Sequence, residues 1–137
     1  NLGSQALQGT RIVLPRHALR DGQSLQVGGR SWRVREMRQA HTENDLVLWS
    51  PERENLTSAR PKGGVVLVGG LVDGRWPVLA QGSVLGWLQA LDQLQAMQPD
   101  WLIGQHVVAG PHQVQPVLQE LQALLELQGY LAHQERH

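Results

Sequence analysis

The sequence contains no cysteine, and this absence removes several kinds of chemistry. It excludes disulfides, thiolate metal sites and a cysteine nucleophile, and it leaves the cellular compartment open. Net charge is also absent, since Lys plus Arg and Asp plus Glu number 12 each. No excess charge therefore attracts nucleic acid or an anionic membrane, and we predict neither as a partner. No apolar run approaches the ~20 residues that a membrane helix needs.

The 137 residues suit a single domain, and a hydrophobic fraction of 41% is enough to form a core. The amino end has neither a basic start nor an apolar stretch, so it does not have the pattern of a signal peptide. It also has no initiator Met, and we expect the chain to begin inside a longer protein. We treat residues 1–137 as one domain.

Strand patterns dominate the first half of the chain. Gly28-Gly29 between two alternating segments predicts a β-hairpin. Val65–Val68 is a continuous apolar run, which is typical of a strand buried on both faces. The other predicted strands are Arg11–Leu14, Leu46–Trp49 and Trp101–Ile103. The polar, charged segment 51–64 is predicted to be an inserted loop.

Two helices are predicted in the second half. Ser83 is placed as the N-cap of the first helix, which Pro99 and its neighbours end. The second is predicted to end near Gly129, with a frayed polar tail. Its apolar stripe consists of Val114, Val117, Leu118, Leu121, Leu124 and Leu125. The order of elements indicates an α+β fold with a mixed sheet and helices packed on one face.

Two histidines occupy equivalent places. His41 lies in the polar turn before a predicted strand, and His106 follows the Trp101–Ile103 strand. Loops at strand ends commonly build binding sites, and imidazole is the commonest neutral metal ligand. A histidine in a polar turn is more often solvated or bonded to backbone. The spacing alone leaves both interpretations open.

Several segments, taken in order, resemble the metallo-β-lactamase superfamily. Ala40–Val47 (AHTENDLV) is similar to that family's Gly/Ala-His-Thr-x-x-Asp-Leu-Val segment. Residues 19–29 resemble its Asp-Gly hairpin, and 66–72 (VLVGGLV) its Leu-Phe-x-Gly-Asp-Leu-Val segment. Residues 103–106 (IGQH) stand where the family has Val-Pro-Gly-His-Gly. The matches run from about residue 11 to residue 110.

This resemblance implies a four-layer αββα sandwich, of which the chain is the C-terminal half, and a zinc-dependent hydrolase acting through a metal-activated water. It implies that His41 and His106 are zinc ligands. Arg75 and Trp76, in a loop near this site, are the candidate contacts for a small-molecule substrate.

The departures from the family pattern limit what this chain can do. The His-x-His-x-Asp-His motif is absent, and Gly70 stands where the family has a metal-bridging aspartate. Two imidazoles do not make a catalytic zinc site, which needs three protein ligands and an open position. We therefore assign no catalytic residue and expect the chain alone to be inactive. The alternatives are a non-catalytic remnant or binding module that keeps the fold without metal, and an unrelated α/β domain.

Half of a two-sheet sandwich leaves one sheet face uncovered. Such an apolar face is large enough to drive association. We expect it to be covered by the missing N-terminal half or by a second copy of the chain.

Overall fold

The fold is known from a computed structural model that describes residues 5–52, 59, 61–79 and 82–136. The main regular elements of these residues are one six-stranded sheet and two α-helices. The strands are β1 Ser24–Val27, β2 Arg30–Arg38, β3 Asn44–Ser50, β4 Val65–Gly69, β5 Trp101–Gly104 and β6 Val108–Ala109. The helices are α1 Val84–Met97 and α2 Val114–Arg136. The prediction of a mixed sheet with two helices is confirmed.

The strands lie in the sheet in their chain order, β1 to β6. All neighbouring pairs are antiparallel except β4 and β5, which are parallel. Helix α1 connects this parallel pair, because parallel strands need a crossover. The carboxyl ends of β4 and β5 consequently meet at one edge of the sheet.

The hairpin predicted at Gly28-Gly29 is present and joins β1 to β2. Both glycines have positive φ, 61° and 75°. A two-residue turn of this kind requires positive φ at both central positions, which glycine adopts without steric cost. The local sequence was therefore sufficient to locate this connection.

The core lies between the sheet and the two helices. Val47, Val66 and Val68 point from the sheet into it, and Leu91 and Leu118 from the helices are fully buried there. The predicted apolar stripe of α2 is confirmed, since its buried residues are Val114, Leu118, Leu121 and Leu125. Within the part of the chain that the structure describes, neither helix has the length and apolarity needed to cross a membrane.

Helix α1 begins at the predicted cap. The Ser83 hydroxyl accepts a hydrogen bond of 2.9 Å from the backbone N–H of Gly86, which satisfies one of the free donors of the first turn. The helix ends at Gln98, whose φ of 46° is left-handed. Gln98 is followed by a proline, as expected for a helix end.

The predicted end of α2 at Gly129 is wrong, and the tail predicted to be frayed is helical to Arg136. A Cβ added at Gly129 would lie 3.3 Å from Val84 Cγ1. The glycine therefore allows α1 and α2 to approach closely instead of ending the helix.

The strand predicted at Arg11–Leu14 is also wrong. This segment has no regular secondary structure and pairs with no described strand, and Ile12 is 90% exposed. The short strand β6 was not predicted, because two residues carry no periodicity. Of the predicted loop 51–64, residues 53–58 and 60 lie outside the described part of the chain.

The sheet face opposite the helices, which we call the outer face, carries a row of aliphatic side chains. Register pairs across β2 to β6 align Val34, Leu48, Leu67, Ile103 and Val108. Val34 is buried, but Ile103 is 37% and Val108 63% exposed. The prediction that β4 is buried on both faces holds only in part, because its outer-face residues are half-buried.

Candidate functional site

The turn that carries His41 joins β2 to β3 and is hydrogen-bonded to the N-terminus of α1. Gln39 has a φ of 52°, and its carbonyl accepts hydrogen bonds from both the N–H and the hydroxyl of Ser83. A Cβ at Gly82 would lie 1.6 Å from the Ala40 carbonyl oxygen. Backbone therefore packs on backbone here, and the start of α1 sets the position of the histidine.

The imidazole of His41 has two defined neighbours. Its ring contacts Trp87 edge-on, with ring centroids 5.4 Å apart, and its Nδ1 lies 3.6 Å from Asp45 Oδ1. Trp87 is itself held by a 3.0 Å hydrogen bond from Nε1 to the Leu71 carbonyl. The Asp45 carboxylate accepts hydrogen bonds from the Thr42 N–H and hydroxyl, at 2.8 and 3.0 Å. These contacts position a half-buried histidine at the edge of the site.

Gly70, just after β4, lies directly against this histidine. A Cβ added there would meet His41 Cε1 at 2.9 Å and Gln105 Oε1 at 3.5 Å. Gly70 thus lies between the His41 turn and the loop after β5. Because it has no side chain, it provides no metal ligand at the position where the resembling family has its aspartate.

His106 belongs to the loop that follows β5. The preceding residue, Gln105, donates its N–H to the Gly69 carbonyl at 2.9 Å, which joins this loop to the end of β4. His106 Nε2 lies 3.7 Å from Asp73 Oδ1. The two histidines therefore lie in loops that both border Gly70, His41 by direct contact and His106 through its neighbour Gln105.

Arg75 and Trp76 line the same small cavity as His41, Gly70 and Asp73. The cavity measures about 150 Å³. Trp76 is 53% exposed, so a large part of its ring is accessible to a bound molecule. The structure thus brings the two predicted substrate contacts next to His41.

Two acidic residues of the site escaped the sequence reasoning. Asp45 is the fourth residue after His41, a spacing that could have indicated a carboxylate partner for the imidazole. Asp73 is the third residue after Gly70, and only the course of the loop after β4 brings it to His106. The nearest signal in the sequence was that Asp73 lies close to Gly70, the position where the resembling family has an aspartate.

These residues fit part of a metal site and not a whole one. Among residues 5–52, 59, 61–79 and 82–136, no group of three or more His, Cys, Asp or Glu side chains is arranged to hold an ion. Imidazole and carboxylate are suitable ligands for zinc, but a catalytic site needs three of them from protein. His106 and Asp73 form a close pair, whereas the acid beside His41 is Asp45.

Solved structures with the same fold give the architecture a name. A metallo-β-lactamase from Pontibacter korlensis superposes with a TM-score of 0.61 at 19% identity, over 91% of this chain and 53% of its own. A β-lactamase domain protein from Burkholderia ambifaria superposes with a TM-score of 0.58 at 22% identity. The match covers 89% of this chain and 39% of the Burkholderia chain. A metallo-β-lactamase family protein from Thermus thermophilus superposes with a TM-score of 0.56 at 22% identity. The match covers 77% of this chain and 33% of the Thermus chain.

The chain spans between a third and about half of the length of these structures. No protein-family model matches the sequence, and no curated protein is significantly similar to it. At these identities the likeness concerns the fold. The chain therefore has the fold of a portion of a metallo-β-lactamase, as its sequence motifs predicted.

Proposed function

We propose that this chain is the C-terminal part of a zinc-dependent hydrolase of the metallo-β-lactamase type, with His41 and His106 as metal ligands. Arg75 and Trp76 contact a small-molecule substrate in this proposal. The observation that carries it is that the His41 turn and the loop that carries His106 both border Gly70, at the end of the parallel β4–β5 pair. Strand-end loops of this kind are where α/β sheets commonly form sites.

A zinc ion in this site would supply a Lewis acid and a source of hydroxide at neutral pH. The contribution of this chain is to bind and orient. Asp45 and Trp87 hold the His41 ring in one position. Carboxylate partners of this kind commonly fix the orientation of a histidine ligand. Arg75 offers a positive charge at the cavity for an anionic group of the substrate.

The remaining ligands come, in this proposal, from the other part of the same fold, packed on the outer face. Two observations support this occupant. The outer face presents exposed aliphatic side chains, including Ile103 and Val108. The solved structures of this fold also extend well beyond the portion that the chain matches, which covers 33–53% of their length. A second copy of the chain is the rival occupant.

The first test is the metal content of the purified chain by elemental analysis, together with its intact mass and its mass in solution. We expect near-stoichiometric zinc whenever the particle contains the rest of the fold, and its loss in His41→Ala and His106→Ala. The exposed Asp92→Asn variant is the control. Zinc that persists in both histidine variants would contradict the assignment of the ligands.

A second candidate is a binding module that keeps the fold without a metal. It is favoured by the glycine at position 70 and by the absence of a three-residue metal cluster among the residues that the structure describes. In that case the complete particle, with the outer face covered, contains no zinc and does not take it up from a millimolar solution. The same elemental analysis separates the two candidates.

A further inference from the structure

Asp73 and His106 are brought together by the parallel strand pair. Asp73 lies in the loop after β4 and His106 in the loop after β5. Because β4 and β5 are parallel neighbours, both loops leave the same end of the sheet. The side chains then lie with Oδ1 of Asp73 3.7 Å from Nε2 of His106.

The backbone around this pair leaves little freedom. A Cβ at Gly104 would lie 1.9 Å from the Val72 carbonyl oxygen, so the two loops are in direct backbone contact. The Gly104 N–H donates to the Val107 carbonyl at 2.8 Å, which closes the loop that carries His106. Only glycine fits at position 104. The separation of Asp73 and His106 is therefore set by the fold and not only by the choice of side-chain conformation.

Asp73 Oδ1 is buried and accepts no hydrogen bond from the described residues. A buried carboxylate oxygen that accepts no hydrogen bond is costly, so Asp73 Oδ1 can take a further partner beside the His106 ring. Asp45, the acid beside the other histidine, differs in this respect because both of its oxygens accept hydrogen bonds from Thr42. Asp73 is thus the acid of the site with an unused oxygen.

The distance of 3.7 Å is too long for a hydrogen bond. It is close to the distance of about 3.4 Å that separates two ligands of a tetrahedral zinc ion at 2.1 Å each. The two side chains are also accessible, with 42% of His106 and 31% of Asp73 exposed. Because Asp73 Oδ1 itself is buried, a cation reaches this atom only when the Asp73 side chain moves.

We propose that Asp73 is a metal ligand paired with His106, and that it provides in this chain the carboxylate that Gly70 cannot. The inference rests on the proposed function and extends it, since it names an acid three residues away from the expected position. The pair is half of a site for a divalent cation of the zinc class. Its other ligands lie outside the pair, because no third ligand side chain joins it among the described residues.

The test is titration of the 137-residue chain with zinc chloride. Calorimetry measures the binding, and NMR detects the signals of the histidine rings and the aspartate carboxyl carbons during the titration. We expect zinc to shift the signals of both the His106 ring and the Asp73 carboxyl. Asp73→Asn should weaken zinc binding at least about tenfold, the size of effect typical for loss of a metal-site partner. The control Asp92→Asn, an exposed acid on α1, should leave binding within twofold.

Three results are decisive. Loss of affinity in Asp73→Asn and not in Asp92→Asn, with zinc-dependent shifts at both side chains, supports the proposal. If zinc binding depends on His106 but is unchanged in Asp73→Asn, the inference about Asp73 is wrong while the proposed function stands. If the unaltered chain shows no zinc-dependent shift at millimolar zinc, the pair is a plain Asp–His contact and the inference about Asp73 is wrong, while the zinc content of the complete particle decides the proposed function. The NMR shifts are read on the unaltered chain, so they decide the matter even if a variant does not fold.

Discussion

The His41 ring lies so close to Gly70 that a Cβ on residue 70 would meet its Cε1 at 2.9 Å. The space in which the resembling family has an aspartate side chain is thus bordered directly by the imidazole. Trp87 and Asp45 hold the ring on its other sides. The position of the His41 ring therefore depends on the absence of a side chain at Gly70, and a substitution at either residue should affect the other.

This dependence predicts a strong coupling between positions 41 and 70. Gly70→Ala should lower the free energy of unfolding by about 1–2 kcal/mol, because the added methyl group must displace the His41 ring. In the His41→Ala background the same change should cost close to nothing. A double-mutant cycle by urea denaturation measures the coupling. An equal cost of Gly70→Ala in both backgrounds would show that the two residues do not interact.

Gly86→Ala tests how the His41 turn is fastened to α1. Glycine to alanine in a helix normally stabilises by about 0.5–1 kcal/mol. Here the Cβ would lie 2.0 Å from the Gln39 carbonyl oxygen, which is backbone and cannot give way cheaply. We expect the opposite sign, a loss of at least about 1 kcal/mol.

The control for this change is Leu85→Ala, on the same turn of α1, where the side chain is 68% exposed. It should stay within about 0.5 kcal/mol of the unaltered chain, as surface changes usually do. Thermal unfolding followed by circular dichroism measures both variants. A stabilised Gly86→Ala would mean that the turn does not pack on the helix as closely as described.

Trp87→Phe should destabilise the protein through its lost hydrogen bond. The indole N–H of this buried residue donates to the Leu71 carbonyl, and phenylalanine leaves that carbonyl without its donor. We expect a cost of about 1–3 kcal/mol, measured by denaturant unfolding. Trp101→Phe is the matched control, because Trp101 is 45% exposed and should cost less. Equal costs at the two positions would rule out the hydrogen bond as the cause.

The outer face predicts association of the isolated chain. Lysine at both Ile103 and Val108 places charge at the exposed β5–β6 end of the aliphatic row and should favour the monomer. Sedimentation velocity over a range of protein concentrations measures the shift. Lysine at Leu85, an exposed position on α1, should leave association unchanged. An unaltered chain that stays monomeric at high concentration would argue against a partner on this face.

Elements with local signals were predictable. Ser83 caps α1, and Gly28-Gly29 turns the hairpin, because both depend on the conformation of a few adjacent residues. Gly129 was wrongly predicted to end the helix. A glycine is present there because Val84 of the other helix packs closely against it, and a local pattern does not show such a contact. Arg11–Leu14 has the composition of a strand, but a strand needs a partner to pair with, and composition does not supply one.

The candidate site divides in the same way. His41 and His106 were found from motifs that lie on short segments of chain. Asp73 was not found, because 33 residues and a crossover helix separate it from His106 and only the pairing of β4 with β5 brings them together. The position of Arg75 and Trp76 beside His41 was a prediction about a loop, and packing decides where a loop lies.

The sequence by itself determined the alternation of strands and helices, the turns and caps, and the resemblance to the metallo-β-lactamase fold, since each depends on residues near one another in the chain. Only the tertiary structure decided which glycines allow close backbone contact, which acid faces His106, and which face of the sheet remains open. These properties arise from contacts between distant segments, and the energy of such contacts depends on distances of a few tenths of an ångström that no local pattern encodes.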